Sequence, residues 1–193
     1  MVAHMKVNVA GMAAIKRRVE KIRKDTRPAI ASAINDTLKQ VRTQASRIIR
    51  GKLAMKKVDV DKRLRIRKAR PTQLSGIVWV SNREISLSRF KQKQGAIGAE
   101  VKINKTGSMT VFPSAFGPKR PKLFGGIYRR QGKSRLPLEK VPGITMAGNA
   151  LANGAIDETK QLIPGLLKKN IKRRLRLIEL RASGAVKSTS KGA

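Results

Sequence analysis

Eleven carboxylates, one histidine and no cysteine are all that this 193-residue chain offers for acid–base, thiol or metal chemistry. The closest pair of acids worth weighing is Asp59 and Asp61, in "KVDVDKRLRIRK". Metal-dependent phosphoryl chemistry needs two or more carboxylates converging on one cation. Two residues apart on a helix, side chains point to different sides. Asp59 therefore reads as a helix N-cap and Asp61 as a first-turn charge favoured by the helix dipole. Asp157 and Glu158 are adjacent and diverge in the same way. His4 lies near the N-terminus and is expected to be an exposed residue without a ligand role. The run "GGIYRRQGK" is not a phosphate cradle, and "FPSAFGP" holds no nucleophile elbow. The expectation is a protein without turnover, cofactor or bound metal.

Cations are the functional vocabulary instead. Lys and Arg number 45 against 11 acids, a net charge of +34, and the pI is about 11.8. Charge of that size opposes compaction by self-repulsion, so something anionic belongs in the working state. The cations cluster at 16–24 ("KRRVEKIRK"), 62–70 ("KRLRIRKAR"), 119–122 ("KRPK"), 129–135 ("RRQGKSR") and 168–176 ("KKNIKRRLR"). One such cluster is usually a solvated face; five with few balancing acids are not. No zinc finger, stacked-aromatic pair or basic zipper accompanies them, so the pattern fits contact with phosphate or carboxylate rather than base reading. The residues expected to make that contact are Arg63, Arg65, Arg67, Arg129, Arg130, Lys133, Arg135, Lys172, Arg173 and Arg174.

The elements that must position them follow from periodicity. Residues 5–9 ("MKVNV") alternate as a short strand, and Met12 to Lys24 carry a helical stripe. Thr26 and Pro28 open a second helix, whose stripe is Ile30, Ile34, Leu38, Val41, Ala45 and Ile48. From Pro28 to Arg50 it spans ~34 Å, and Gly51 is its expected stop. The stripe is assigned to the core or to a subunit contact. Residues 57–68 read as a short helix running into a basic strand. The period then changes to two, with strands expected over 73–81, 83–90, 96–103 and 108–113 and a hairpin turn at Asn104–Gly107. A loop over 114–126 precedes the strand "IYRR" and the basic glycine turn "RRQGKSRLPLEK", expected to be held by Gly132 and Pro137. Helices return after Pro142, with Met146, Ala150, Leu151 and Ile156 on one side, and again after Pro164, with Leu167, Ile171, Leu175 and Ile178.

Helices, then an antiparallel sheet, then helices argue an α+β fold. The organisation expected is one domain over residues 1–180 with extended arms, followed by a flexible polar tail over 181–193. Aromatics make up only 3% of the chain, so the core must come from aliphatic residues. No apolar run approaches the ~20 residues of a membrane span, and the N-terminal residues do not read as a signal peptide, so use in the cytoplasm is expected.

The helix "PAIASAINDTLKQVRTQASRIIR", then "VDVDKRLRIRKA", then "GIYRRQGKSRLPLEKVPGI" and the terminal basic helix together resemble the prophage minor tail protein Z family. The resemblance runs over roughly residues 5 to 178. Its most specific pieces are Lys62–Arg67 and Arg129–Leu138; after the second, the family pattern has Gly-Pro-Ser where this chain has Val141-Pro142-Gly143. The resemblance implies a tail completion protein of a long-tailed bacteriophage. Such a protein sits in the virion neck at the head-proximal end of the tail, after assembly in the host cytoplasm. Its implied partners are the tail terminator, the head–tail connector, further copies in a ring and packaged DNA, with no membrane. The alternative from composition alone is a sequence-independent nucleic-acid-binding protein of the nucleoid or ribosome.

On either reading, plasmid DNA incubated with the protein and magnesium or manganese stays intact. Reproducible cleavage that is lost in Asp59→Asn or Asp61→Asn would overturn the exclusion of catalysis.

Overall fold

The computed structural model describes residues 3–8, 26–117 and 126–182. The expected helix over Met12–Lys24, the clusters at 16–24 and 119–122 and the tail beyond residue 182 lie outside the described residues. The fold is α+β. The chain divides into two compact units. One is made of His4–Gln44, Arg65–Trp79 and the segment from Thr159. The other combines Ala45–Leu64 and Val80–Glu158 with the first three residues.

In the first unit, strands β1 (Ala3–Asn8), β2 (Leu64–Arg67) and β3 (Ser75–Val80) form a sheet in the order β1-β3-β2. Arg70 and Gln73 exchange backbone hydrogen bonds in the turn that joins β2 to β3. Helix α1 (Arg27–Lys52) is the expected amphipathic rod, about 39 Å long at 1.5 Å per residue. Ile30, Ile34, Leu38, Val41 and Ala45 are all buried. Each Ile, Leu or Val side chain of that stripe contributes roughly 1.5–3 kcal/mol by leaving water. Ile48 is only half-buried and Ile49 is buried in its place, because the stripe steps by four at its end and not by three. The helix also runs through Gly51 to Lys52.

Close approach of β3 to α1 requires Gly76: a Cβ there would stand 2.5 Å from the Leu38 side chain. Asn35 locks the end of β2 to the same helix, accepting from the Ala69 N–H at 2.8 Å and donating to the Ala69 carbonyl at 3.1 Å. The last helix, α4 (Ala155–Ala182), continues through Pro164, which divides nothing; Pro164 is exposed, and it forgoes one intrahelical donor. Arg181 and Ala182 belong to this helix, although the sequence suggested a tail from residue 181. Asn170, buried on α4, donates to the Thr37 hydroxyl at 2.9 Å and to the Gln40 side chain at 3.0 Å. Asp36 meets Arg173 and Arg174 one turn further along α4, so α1 and α4 run antiparallel.

In the second unit, α2 (Lys57–Arg63) follows the last turn of α1. Asp59 is not its N-cap. That place falls to Lys56, without a side-chain bond, and Asp59 sits in the first turn. Three antiparallel groupings follow. The first is β5 (Lys91–Gln94), β6 (Gly98–Lys102) and β7 (Thr110–Pro113), in that order. The second is β8 (Ala115–Phe116), β9 (Tyr128–Arg130) and β10 (Leu138–Lys140), with β9 in the middle. The third pairs β4 (Glu84–Ile85) with β11 (Ile144–Thr145). Of the strand expected over 83–90 only β4 forms. Ser86 instead accepts a bond from the Ser88 N–H and starts a single 3-10 turn. β5 was hidden in the sequence because "KQKQ" has no apolar alternation, and β8 lies inside the expected loop. Helix α3 (Met146–Ala152) is capped by Thr145 and ends at Gly154, whose φ of 65° only glycine adopts freely.

Leu38→Asp places an unpaired charge at a fully buried site and should abolish cooperative unfolding and assembly. Asn170→Ala should retain the fold but lose ~1–3 kcal/mol in urea titration, because the Thr37 and Gln40 groups lose a buried partner. Wild-type stability in both variants would show the stripe and the polar pin to be misassigned.

Candidate functional site

The hairpin β9–β10 is an exposed basic element of its unit. Its register places Leu138 opposite Arg130, Glu139 opposite Arg129 and Lys140 opposite Tyr128. Its root is apolar and closed: Ile127 and Val141 are buried, and the Val141 N–H donates to the Ile127 carbonyl at 2.9 Å. Everything beyond the strands is outside, since each residue from Gln131 to Pro137 is exposed. The Leu136–Pro137 bond is cis. Gly132 has an ordinary φ and open space around it, so the root and Pro137 fix this turn, and glycine is not required at 132. Arg129, Arg130, Lys133 and Arg135 are all exposed as expected, and the Arg130 guanidinium lies 5.8 Å over the Phe116 ring of β8.

The other predicted cations divide into free and engaged groups. Arg65 and Arg67 alternate with Ile66 on β2 and share its exposed face. Arg63 is half-buried, and its guanidinium donates to the carbonyls of Arg83, at 2.6 Å, and Glu84, at 3.0 Å. It joins α2 to the start of β4 and is a structural cation. Arg173 and Arg174 both bond Asp36, with Arg174 half-buried. Lys172 is exposed and has no partner among the described residues.

Of the better cations of α4, sequence reading named Lys172 as a contact residue and passed over Lys168, Lys169 and Arg176. All four are exposed and fall within about 100° of arc, opposite the buried Leu167, Asn170 and Ile171. The signal was present: Arg174 stands three residues after Ile171 and seven after Leu167, which puts it on the apolar stripe and away from the solvent face.

The carboxylates are held apart. Asp61 accepts from the Ser46 hydroxyl at 2.6 Å and lies 2.9 Å from Lys57, while Asp59 lies 3.8 Å from Arg89. Among the described residues, no three His, Asp or Glu side chains gather as a metal site. His4 falls in β1, with its side chain outside what is described. No helix among the described residues is long and apolar enough to cross a membrane. The chain matches no family model, no characterised protein and no solved structure in the comparisons made with it.

Arg63→Ala should lower stability by ~0.5–1.5 kcal/mol through its two lost carbonyl contacts. Arg65→Ala and Arg67→Ala should leave the denaturation midpoint unchanged. Equal midpoints for all three variants would remove the distinction between structural and free cations.

Proposed function

We propose that this chain is a structural, non-catalytic subunit of a phage neck: a tail completion protein at the head-proximal end of the tail, helping to join head to tail and to hold the DNA end. The observation that carries this reading is the exposed basic hairpin with an apolar residue at its tip. Leu136 is 68% exposed between Arg135 and Pro137. A bare leucine gains nothing against phosphate, but it suits a protein surface. The hairpin is therefore the assembly contact. The cation ladder of α4, which carries no such apolar group among its lysines, faces DNA, together with Arg65 and Arg67. The resemblance to the minor tail protein Z family supports the same assignment. A free nucleic-acid-binding protein is favoured by one feature only, the unpaired cations on β2 and α4.

Replacing Lys168, Lys169, Lys172 and Arg176 with glutamine should lower DNA affinity uniformly across sequences. The slope of log K against log salt should flatten by about 3–4, since each neutralised phosphate contributes ~0.9. Replacing Arg129, Arg130, Lys133 and Arg135 should leave that slope nearly unchanged while blocking incorporation into particles. Electron microscopy of particles should place the wild-type chain at the neck. A hairpin variant that still enters particles would remove the hairpin as the assembly contact, and a chain found only on bulk DNA would sink the neck reading.

A further inference from the structure

We infer that the tip of the β9–β10 hairpin docks into a groove beside Val141 and Pro142 on a second copy of this chain, in a head-to-tail contact. The inference rests on the hairpin being an assembly contact and names the partner.

Carboxylates are scarce here, and six of the nine among the described residues are occupied. Asp36, Asp59, Asp61, Glu100 and Glu158 each face a cation of the same chain. Asp157 also has a partner. Glu84, Glu139 and Glu179 have none among the described residues. Two of these three meet in one place. A groove of about 210 Å³ between Phe112 and Glu139 adjoins a second, of about 380 Å³, that reaches Glu84 and Gly143, and Val141 and Pro142 line both. Gly143 keeps that floor open and tight, since a Cβ there would run into the Ile85 carbonyl. Arg129 and Lys140 also reach these walls, which leaves the lining neutral in a chain that carries +34 overall. An apolar floor with a free carboxylate in each half is the complement of one particular feature, an apolar side chain flanked by cations. The tip supplies it: Leu136 is exposed beside Arg135, with Lys133 three residues before it.

The tip does not fill the groove of its own chain: Leu136 is exposed and lines neither part of it. Val141 lies at the root of the hairpin, and the extended residues Leu138–Lys140 carry the tip ~10 Å away from it at ~3.3 Å per residue. A second copy of the chain presents the same tip to it. Because tip and groove are different patches, the contact is heterologous and repeats from subunit to subunit until a ring closes.

Sedimentation velocity tests this on the full chain, at about 0.3 M salt so that net-charge repulsion is screened within less than about 8 Å. Leu136→Asp removes the tip and keeps the groove; Glu84→Lys with Glu139→Lys removes the groove and keeps the tip. Wild type should associate beyond dimers, and each variant alone should sediment as a monomer with an unchanged circular dichroism spectrum. An equimolar mixture should give dimers and nothing larger, because only one productive contact remains. If the lysine variant misfolds, Glu84→Gln with Glu139→Gln takes its place in the same mixture. A monomeric wild type, variants that associate like wild type, or a mixture that stays monomeric overturns the inference. Placement in particles is measured separately. A chain that forms head-to-tail assemblies but never enters a particle keeps this contact and loses the neck assignment. Tip and groove variants that enter particles normally lose the contact alone.

Discussion

The scarcity of negative charge governs this molecule. With 45 cations and 11 acids, folding brings like charges together, and five of the nine acids among the described residues are placed beside cations of the same chain. Asp36 takes both Arg173 and Arg174. Asp61 holds Lys57 and the Ser46 hydroxyl, and Glu158 takes Lys52, whose ammonium also donates to the Asn153 carbonyl. These groups are partly exposed, so each pair is worth only ~0–1 kcal/mol. Their importance is positional, since they decide which cations are spent inside the fold and which remain for a partner.

Within the unit that holds most of α1 and α4, a buried polar pin does what charge cannot. The Thr37 hydroxyl donates to the Ala33 carbonyl and accepts from Asn170, whose amide also reaches Gln40. Apolar stripes alone would let two helices slide by a turn. A satisfied buried amide fixes the register, because every slipped alignment leaves a donor unpaired. The Asn35–Ala69 pair acts likewise on the chain after β2. Together they set which face of α4 carries its lysines outward.

Much of this was legible in the sequence, and the failures have physical causes. The α1 stripe, β3, β6, β7 and β9 follow from periodicity, because burial on one face leaves a period in the residue types. β5 has no such period, being a polar strand defined by its pairing with β6. Ser86 defeated a strand reading by offering its hydroxyl to a nearby backbone donor. For the site, the exposed hairpin was recognisable from its glycine, proline and cations. The place of Arg174 on the apolar stripe was legible; what no local pattern could reveal was that the carbonyls of Arg83 and Glu84 occupy Arg63 and that Asp36 occupies Arg173, for those partners lie 20 to 137 residues away.

The root of the hairpin has one further consequence. Its closure, between Ile127 and Val141, involves no residue of the tip, and none of the residues from Gln131 to Pro137 is buried. The length and sequence of that loop are thereby uncoupled from the stability of the sheet that carries it; doubling a flexible loop costs only about 0.6 kcal/mol of closure entropy. A short peptide tag spliced at Ser134 would be carried on the surface by an intact fold, and descendants of this chain can change what the tip recognises without rebuilding anything beneath it.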